Sequence, residues 1–501
     1  MLFKQFTRFH KTVLGVAFII YLVTAINSKG YYHWDEHYQI IEFAGLKTGT
    51  NMSSDLAWEY AVQIRPAFQP AVCFLVFELF YTVGITDPYV LAFALRLLTL
   101  VLALVAVTAF VLSTRDQVEQ RNQKAFIILS YLLWFLPFIN VRFSSETWSG
   151  LLFLLGVAIW QLNGTKRTGK VVLVGVLFGL SFVCRFQIAF MIAGFLAWVV
   201  LIGKVPFKYV LILIGGATIA FLFGLLLDGW YYGRPVFTAW NYFYINIIKG
   251  VASHFGTAPW YYYLGVIAAA PTIPVGLLII TCFCLLIYKK PKLLILWVIG
   301  TFLIAHSLIS HKEDRFLFPL MNFVPLILIL GWEQIADIYY RYCRKPAFTI
   351  TVYTVMIGLI VINVTGIVVM SFRPMGNGIR AITYYIHHHY KDRSVQLIQG
   401  AYANPYTPLY LIPLQEPFYS DDVIETDMQD VLENKVAGID NDKPVLFVFE
   451  KDNFGDPDYE KIIAKYHLQY RMQSIPGWIE WINKWYNQSG NQRILLLYSN
   501  R

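Results

Sequence analysis

Blocks of about 15–25 apolar residues alternate with short polar or charged connectors over the first 372 positions of this chain. They lie near 12–28, 67–84, 89–112, 125–139, 147–162, 171–184, 187–203, 209–227, 261–288, 293–309, 316–332 and 348–371. Apolar runs of that length predict membrane-spanning helices. Several are short for a hydrocarbon core of about 30 Å, so neighbouring polar residues must extend them. Beyond 372 the pattern changes. Val395–Gln399, Pro444–Glu450 and Arg493–Tyr498 predict strands, and 458–470, opening after Asp456-Pro457, predicts a helix. A tail of about 125 residues can hold its own core. The chain therefore divides into a transmembrane part, 1–372, and a small α/β domain, 373–501, with no internal repeat and no glycine-rich phosphate loop.

Composition sharpens this. Of 501 residues, 57% are hydrophobic and only 14% charged, with mean hydropathy +0.53. Soluble domains carry about 25% charged residues, so an ordinary soluble enzyme is excluded, as are disorder, collagen and a disulfide scaffold. The net charge of +9 is no nucleic-acid signal. Residues 1–372 hold 27 lysines and arginines against 15 acids, whereas 373–501 hold 13 against 16. Basic residues gather on cytoplasmic loops of membrane proteins, which accounts for the excess. Cys73, Cys184, Cys282, Cys284 and Cys343 all lie in or beside apolar blocks and imply neither a disulfide framework nor a cysteine zinc site. The amino-terminal stretch lacks a small-residue cleavage site and reads as an uncleaved first helix.

Twelve crossings would return the tail to the side where the chain began. The charges favour eleven. The basic connectors Arg115/Arg121/Lys124, Lys166/Arg167/Lys170, Lys204/Lys208, Lys289/Lys290/Lys292 and Arg341/Arg344/Lys345 share the cytoplasmic side with Lys4, Arg8 and Lys11 only if one early block does not cross. The block 67–84 follows Ile64-Arg65-Pro66, contains Glu78 and ends in Gly84, and reads as a re-entrant or juxtamembrane helix. The opposite face then receives the loops 29–66, 140–147, around 185, 228–260 and 310–316, with the tail. These loops concentrate His33, Asp35, Glu36, Glu59, Arg65, Glu146, Arg185, Asp228, Asn241, Asn246, His254, His311, Lys312, Glu313, Asp314 and Arg315. Convergent polar groups over an apolar bundle read as an active site or a substrate gate.

The segment Tyr31-Tyr32-His33-Trp34-Asp35-Glu36-His37-Tyr38-Gln39 follows the first helix. Asp35 suits a helix cap. It equally suits a general base, since a carboxylate beside lipid is partly desolvated and holds its proton more tightly. The same residues spell H-x-x-E-H, a zinc-peptidase pattern in which His33 and His37 ligate a metal, but no downstream segment offers an obvious third ligand. Arg65 suits a carboxylate, a phosphate or snorkelling. The connection 228–260 interleaves aromatic and polar residues, as interfacial belts and sugar-stacking surfaces both do. His311-Lys312-Glu313-Asp314-Arg315-Phe316 is either a solvated connector or a phosphate site, and Arg185, alone between two apolar blocks, needs a partner that a phosphate could supply. His387-His388-His389 reads as surface.

Taken in order, these segments resemble the polyprenol-phosphate-sugar-dependent glycosyltransferases of the GT-C fold. The nearest pattern is that of the dolichyl-phosphate-mannose-dependent mannosyltransferases of glycosylphosphatidylinositol (GPI)-anchor and N-glycan assembly, glycosyltransferase family 22. His33-Trp34-Asp35-Glu36-His37-Tyr38-Gln39 is similar to that family's H-P-D-E-H-F-Q loop, with Trp34 in place of proline. Trp58-Glu59-Tyr60 resembles its T-W-E block, Ile64-Arg65-Pro66 its R-S-x-x-x-P, and His311–Phe316 its H-K-E-x-R-F box. The stretch from Asn241 through Trp260 resembles the N-x-x-x-x-N…YGTHPWHWY segment of members that add the third anchor mannose. In the tail, Tyr402–Tyr410 resembles a P-C-H-S-T-P-Y block without its proline, cysteine and histidine.

The resemblance implies inverting transfer of a sugar, foremost mannose, from a polyprenyl-phosphate donor to a glycan or glycolipid hydroxyl. Asp35 would act as base and Glu36 would orient a substrate. Arg185, His311, Lys312 and Arg315 would hold the donor phosphate. His33, Glu59, Arg65, Asn241, Asn246, His254 and Trp260 would contact substrates. It implies no metal and no cofactor beyond the lipid-linked donor. A GT-C transferase for another sugar, such as aminoarabinose, stays open, as does a transporter or lipid flippase, which an inverted repeat would favour. The compact loops favour a bacterial inner membrane with a periplasmic site; in a eukaryote the site would face the endoplasmic-reticulum lumen. There Asn51-Met52-Ser53 and Asn487-Gln488-Ser489 would be glycosylation acceptors.

Overall fold

Pro137 and Pro274 decide where two apolar blocks break. A proline inside a helix removes one hydrogen bond and crowds the carbonyl four residues earlier. Those carbonyls belong to Leu133 and Ala270, and the blocks break there, into Gln123–Leu132 and Phe135–Ile139, and into Tyr262–Ala269 and Ile273–Lys289. In the block 316–332, Pro319 sits within a run of tight 3-10 turns, Asp314–Phe323, that precedes the helix Val324–Tyr342. The computed structural model describes residues 6–343, 345–391, 393–407, 416–433, 435, 443–486 and 493–500.

Among the described residues five helices are long and apolar enough to cross a membrane: Arg8–Asn27, Pro88–Gln117, Phe207–Tyr232, Asp314–Ala336 and Pro346–Phe372. A sixth span results if Ile273–Lys289 and Leu294–Leu308, bent by 119°, count as one. The eleven crossings expected from charge therefore exceed what helix length alone supplies. Phe68–Tyr81, the block read as non-crossing, has 14 residues, about 21 Å at 1.5 Å per residue.

By internal contact the chain forms two compact units: Met1–Thr24, Ala61–Val72 and Arg96–Ser371 in the first, and Ala25–Tyr60, Cys73–Leu95 and Phe372–Arg501 in the second. The loop after the first helix thus shares its unit with the carboxy-terminal residues.

In the first unit, Thr168–Cys184 lies on Phe207–Tyr232 through small residues. A Cβ on Gly175 would stand 3.0 Å from the Gly216 Cα, and one on Gly179 would stand 2.7 Å from the Ala220 Cβ. Between apolar helices van der Waals contact is the main attraction, and small residues four apart bring the backbones close enough to gain it. The break near Leu133 frees backbone carbonyls, and side chains satisfy them. The Tyr131 carbonyl accepts from the Tyr21 hydroxyl (3.0 Å), and the Leu132 carbonyl accepts from the Asn363 amide (2.8 Å). Broken helices survive at membrane depth when freed groups are paired in this way.

The second unit holds a five-stranded sheet. Its strands are β1 (Val395–Gln399), β2 (Val423–Asp427), β3 (Val445–Glu450), β4 (Gln469–Gln473) and β5 (Leu495–Ser499), in the order β2-β1-β3-β5-β4. β1 pairs in parallel with β2 and β3, whereas β5 runs antiparallel to β3 and β4. β3 is buried on both faces, which explains its unbroken apolar run. Leu446 and Val448 face Ile382 and Ile386 of the helix Ile379–His389, and Val445, Phe447 and Phe449 face Tyr459 and Ile462 of Pro457–Lys465. The helix expected over 458–470 stops at Lys465, because His467 takes a positive φ of 52° and turns the chain into β4. The three histidines are not all surface. The His387 ring lies 2.6 Å from an Asp421 carboxylate oxygen and 3.4 Å from one of Asp87, while His388 and His389 are exposed.

Candidate active site

In the second unit the chain leaves the first helix and enters a turn at Asp35-Glu36, then a π-helical turn, His37–Ile41, and a helix, Glu42–Thr48. π turns in helices often mark functional sites. All five residues of this one are buried. His37 Nε2 lies 2.6 Å from Glu42 Oε1, with both side chains 1% exposed. The imidazole stacks against Tyr31 and Tyr419, with ring centroids 5.4 and 5.2 Å away, and burial lowers its pKa. The Asn51 amide donates to the other Glu42 carboxylate oxygen at 2.6 Å. The hydroxyls of Tyr31 and Tyr38 both donate to Glu416 Oε1 at 2.7 Å, and Arg380 pairs with the same carboxylate.

On this support the two predicted carboxylates differ. The Asp35 side chain is 21% exposed, with its Oδ1 3.5 Å from His33 Nδ1. Glu36 is buried, and its Oε2 accepts the Tyr32 N–H at 3.4 Å. Glu59 is also buried and accepts from the Gln39 amide at 2.9 Å. One carboxylate is reachable by a substrate hydroxyl; its neighbour is part of the support. His37, the second histidine of the H-x-x-E-H spacing, is thus paired with Glu42. Among the described residues no group of three His, Cys, Asp or Glu is placed to hold a metal ion.

The first unit carries the cationic residues. Glu146 lies in the first turn of Ser145–Asn163, where Ser144 caps the helix through the Thr147 N–H. Arg185 stands where Thr168–Cys184 ends, and Arg315 lies in the Asp314–Phe323 run. Both guanidiniums donate through Nη1 to Glu146 Oε1 at 2.7 Å, and all three side chains are at least 95% buried. Both also lie against the Phe316 ring, at 4.6 and 5.3 Å, a cation–π arrangement. Arg315 Nε pairs with Glu313, whose other oxygen is 2.9 Å from His311 Nε2. His311 Nδ1 lies 2.9 Å from the Gly256 carbonyl. The Glu313 contact raises the His311 pKa, as expected for a ring donating from both nitrogens. Lys312 Nζ donates to the carbonyls of Ala258 (2.9 Å) and Ile309, and desolvation lowers its pKa. Arg185 thus meets Arg315, distant in sequence, in a region that also holds His311 and Lys312 and binds the Glu146 and Glu313 carboxylates.

The remaining expected residues are less concentrated. The Arg65 carbonyl accepts from the Tyr232 hydroxyl at 2.8 Å, and the Asn241 amide donates to the Gln63 carbonyl at 3.1 Å. Asn246 is half-buried on the turn Tyr244–Ile248, His254 is exposed on Val251–Phe255, and Trp260 is 67% exposed. Sequence reasoning did not assign a role to Glu42, Glu146, Arg380 or Glu416. Glu146 had a signal, a lone acid opening an apolar block; Glu416 had none. The Asn51 amide is buried against Glu42, so it is not available as a glycosylation acceptor in this fold. Asn487-Gln488-Ser489 and the end of the Tyr402–Tyr410 block lie outside the described residues.

Comparison with known proteins joins these observations. The sequence profile of the Alg9-like mannosyltransferase family matches residues 12–409. GPI mannosyltransferase 3 of Yarrowia lipolytica is 28% identical over 333 residues, covering 65% of this chain and 62% of that protein. GPI alpha-1,2-mannosyltransferase 3 of Homo sapiens is 24% identical over 279 residues, covering 54% and 48%. The match thus spans less than two thirds of either relative. Among solved structures, ArnT from Cupriavidus metallidurans bound to undecaprenyl phosphate aligns over 98% of this chain and 97% of its own, with TM-score 0.52 and 11% identity. That likeness is one of fold, the GT-C fold of integral membrane proteins.

Proposed function

The chain belongs to the Alg9-like mannosyltransferase family, and from that premise we propose that it transfers mannose from a polyprenyl-phosphate donor to a hydroxyl of a glycan or glycolipid at the extracytoplasmic face of its membrane. The observation that carries this reading is the convergence of Arg185 and Arg315 on Glu146, with His311 and Lys312 beside them. Cations held in place before reaction stabilise charge that develops on a departing phosphate. In the proposed step Asp35 takes the acceptor hydroxyl proton, and the acceptor oxygen bonds to the anomeric carbon from the side opposite the phosphate. The bond from that carbon to the phosphate oxygen breaks, its electron pair leaves on the polyprenyl phosphate, and the configuration inverts. Glu36 and Glu59 shape the loop around Asp35, and His33 sits beside its carboxylate. Arg65, Asn241, Asn246, His254 and Trp260 are assigned to substrate contacts. No cofactor is invoked, because the donor lipid is itself a substrate.

In the proposed topology the amino terminus is cytoplasmic and eleven crossings, some short or broken, carry the tail outside. What supports it is that the first external loop and the tail share one compact unit, as an odd number of crossings would allow. That face is periplasmic in a bacterium and lumenal in the endoplasmic reticulum. The test is sugar transfer by the purified protein in lipid, with polyprenyl-phosphate-mannose and a panel of mannose-ended glycolipids. Asp35→Asn is expected to lower the rate about 10²–10⁴-fold with folding intact. Equal rates would remove Asp35 as base and leave the transferase. Transfer of another polyprenyl-linked sugar in preference to mannose would replace the donor, and lipid translocation without transfer would replace the function.

A further inference from the structure

We propose that the helix Gly477–Tyr486 of the carboxy-terminal domain is a membrane-interface anchor, lying against the outer leaflet with its tryptophans among the lipid headgroups. One side of the helix is held to the domain. Ile479 and Asn483 are fully buried, and Glu480 pairs with Lys451 at 2.7 Å while accepting from the Gln473 amide at 3.2 Å. The other side presents Trp478, Trp481 and Trp485, spaced i, i+3, i+7 and therefore on one helical face. They are 42%, 61% and 77% exposed. Three large aromatic side chains on one solvent-facing stripe are unfavourable in water, and indole is the side chain that prefers the boundary between headgroups and hydrocarbon.

The structure also says where this stripe lies. Phe372 is the last residue of the spanning helix Pro346–Phe372, and its ring meets Trp478 edge-to-face at 6.0 Å. Three residues on, the Met375 N–H donates to the Lys29 carbonyl at 2.8 Å, and Lys29 stands two residues beyond the spanning helix Arg8–Asn27. The residues that follow these two helices are therefore hydrogen-bonded to each other, and Trp478 meets the last residue of the second. The end of an apolar 27-residue helix marks the bilayer boundary. Trp478 thus begins the stripe beside the last residue of that helix, the depth at which interfacial aromatics reside. The occupant argued for is the lipid interface.

The test places a nitroxide label on the full chain in nanodiscs that hold one protein each. Cysteine replaces Trp481 or Trp485, with Cys284 and Cys343 changed to serine, and a third label at Phe454, exposed elsewhere in the domain, is the aqueous reference. Collision with oxygen, which partitions into lipid, is compared with collision with a water-soluble nickel chelate. Labels at 481 and 485 are expected to be several-fold richer in oxygen relative to nickel than the label at 454. Equal ratios at all three sites would overturn the proposal. It would equally be overturned if 481 and 485 stayed nickel-accessible but lost mobility on addition of a soluble mannose oligosaccharide, which would make the stripe a sugar platform. Trp485, the more exposed of the two, keeps the test valid if replacing Trp481 disturbs the fold.

Discussion

Replacing Glu146 with glutamine removes the one carboxylate that two buried arginines share, and the cost can be worked from the contacts. Hydrogen bonds to a charged group contribute about 1.5–3 kcal/mol each, and neutral ones about 0.5–1.5. Glutamine keeps the shape and an accepting oxygen, so the two 2.7 Å contacts to Arg185 and Arg315 weaken by about 2–3 kcal/mol together. Arg185 then keeps the Ser145 hydroxyl and the Phe316 ring, while Arg315 retains Glu313. A broken buried pair, about 3–5 kcal/mol, is then the upper bound on the loss. The assay is the thermal unfolding midpoint in nanodiscs, with and without polyprenyl phosphate. If these arginines hold the donor phosphate, the lipid supplies the missing anion. At about a hundredfold its dissociation constant it stabilises a protein by about 2.7 kcal/mol, and the gain should be larger for Glu146→Gln than for the wild type. Glu119→Gln, which breaks an exposed pair with Arg121, is the control and should cost less than about 1 kcal/mol. An unchanged midpoint for Glu146→Gln, or an identical gain with phosphate in both proteins, would refute the reasoning.

Three further outcomes are expected. Gly216→Leu should destabilise the crossing of Thr168–Cys184 with Phe207–Tyr232 by at least the about 1–3 kcal/mol of overpacking. Gly215→Leu, whose Cβ meets nothing within 4 Å, should be neutral by the same midpoint measurement. His311 has a raised pKa in the folded cluster, so its charge and its share of stability are fully present below about pH 6.5 and are lost as pH rises through the raised value. The KM for lipid donor should therefore rise with pH above neutrality, and His311→Gln should flatten that dependence; parallel profiles would contradict it. Glu416→Gln should loosen the loop carrying Asp35 by weakening the bonds from Tyr31 and Tyr38. Hydrogen exchange of the amides of 31–41 should accelerate and kcat should fall more than KM changes; unaltered exchange would count against the cradle.

What the sequence determined by itself follows from properties that are local. Apolar block length predicts spans without knowledge of partners, and the short apolar runs of β1 and β3 mark those strands to within a residue. The blocks around Asp35 and His311 could be recognised because their residues are contiguous. The proline breaks and the small residues Gly175, Gly179, Gly216 and Ala220 were equally visible in principle, since a proline acts on a fixed earlier carbonyl and close helix packing needs small residues at fixed spacing. Tertiary structure alone decided the rest. That Asp35 is partly exposed while adjacent Glu36 is buried is a matter of packing, which no composition announces. That Glu146 joins Arg185 to Arg315, and that Glu416 receives two tyrosines from a loop almost 400 residues earlier, are pairings across distant segments. A buried charge must find a counter-charge, so the sequence could say that Arg185 needed a partner. Which carboxylate answered was a matter of how the chain packs.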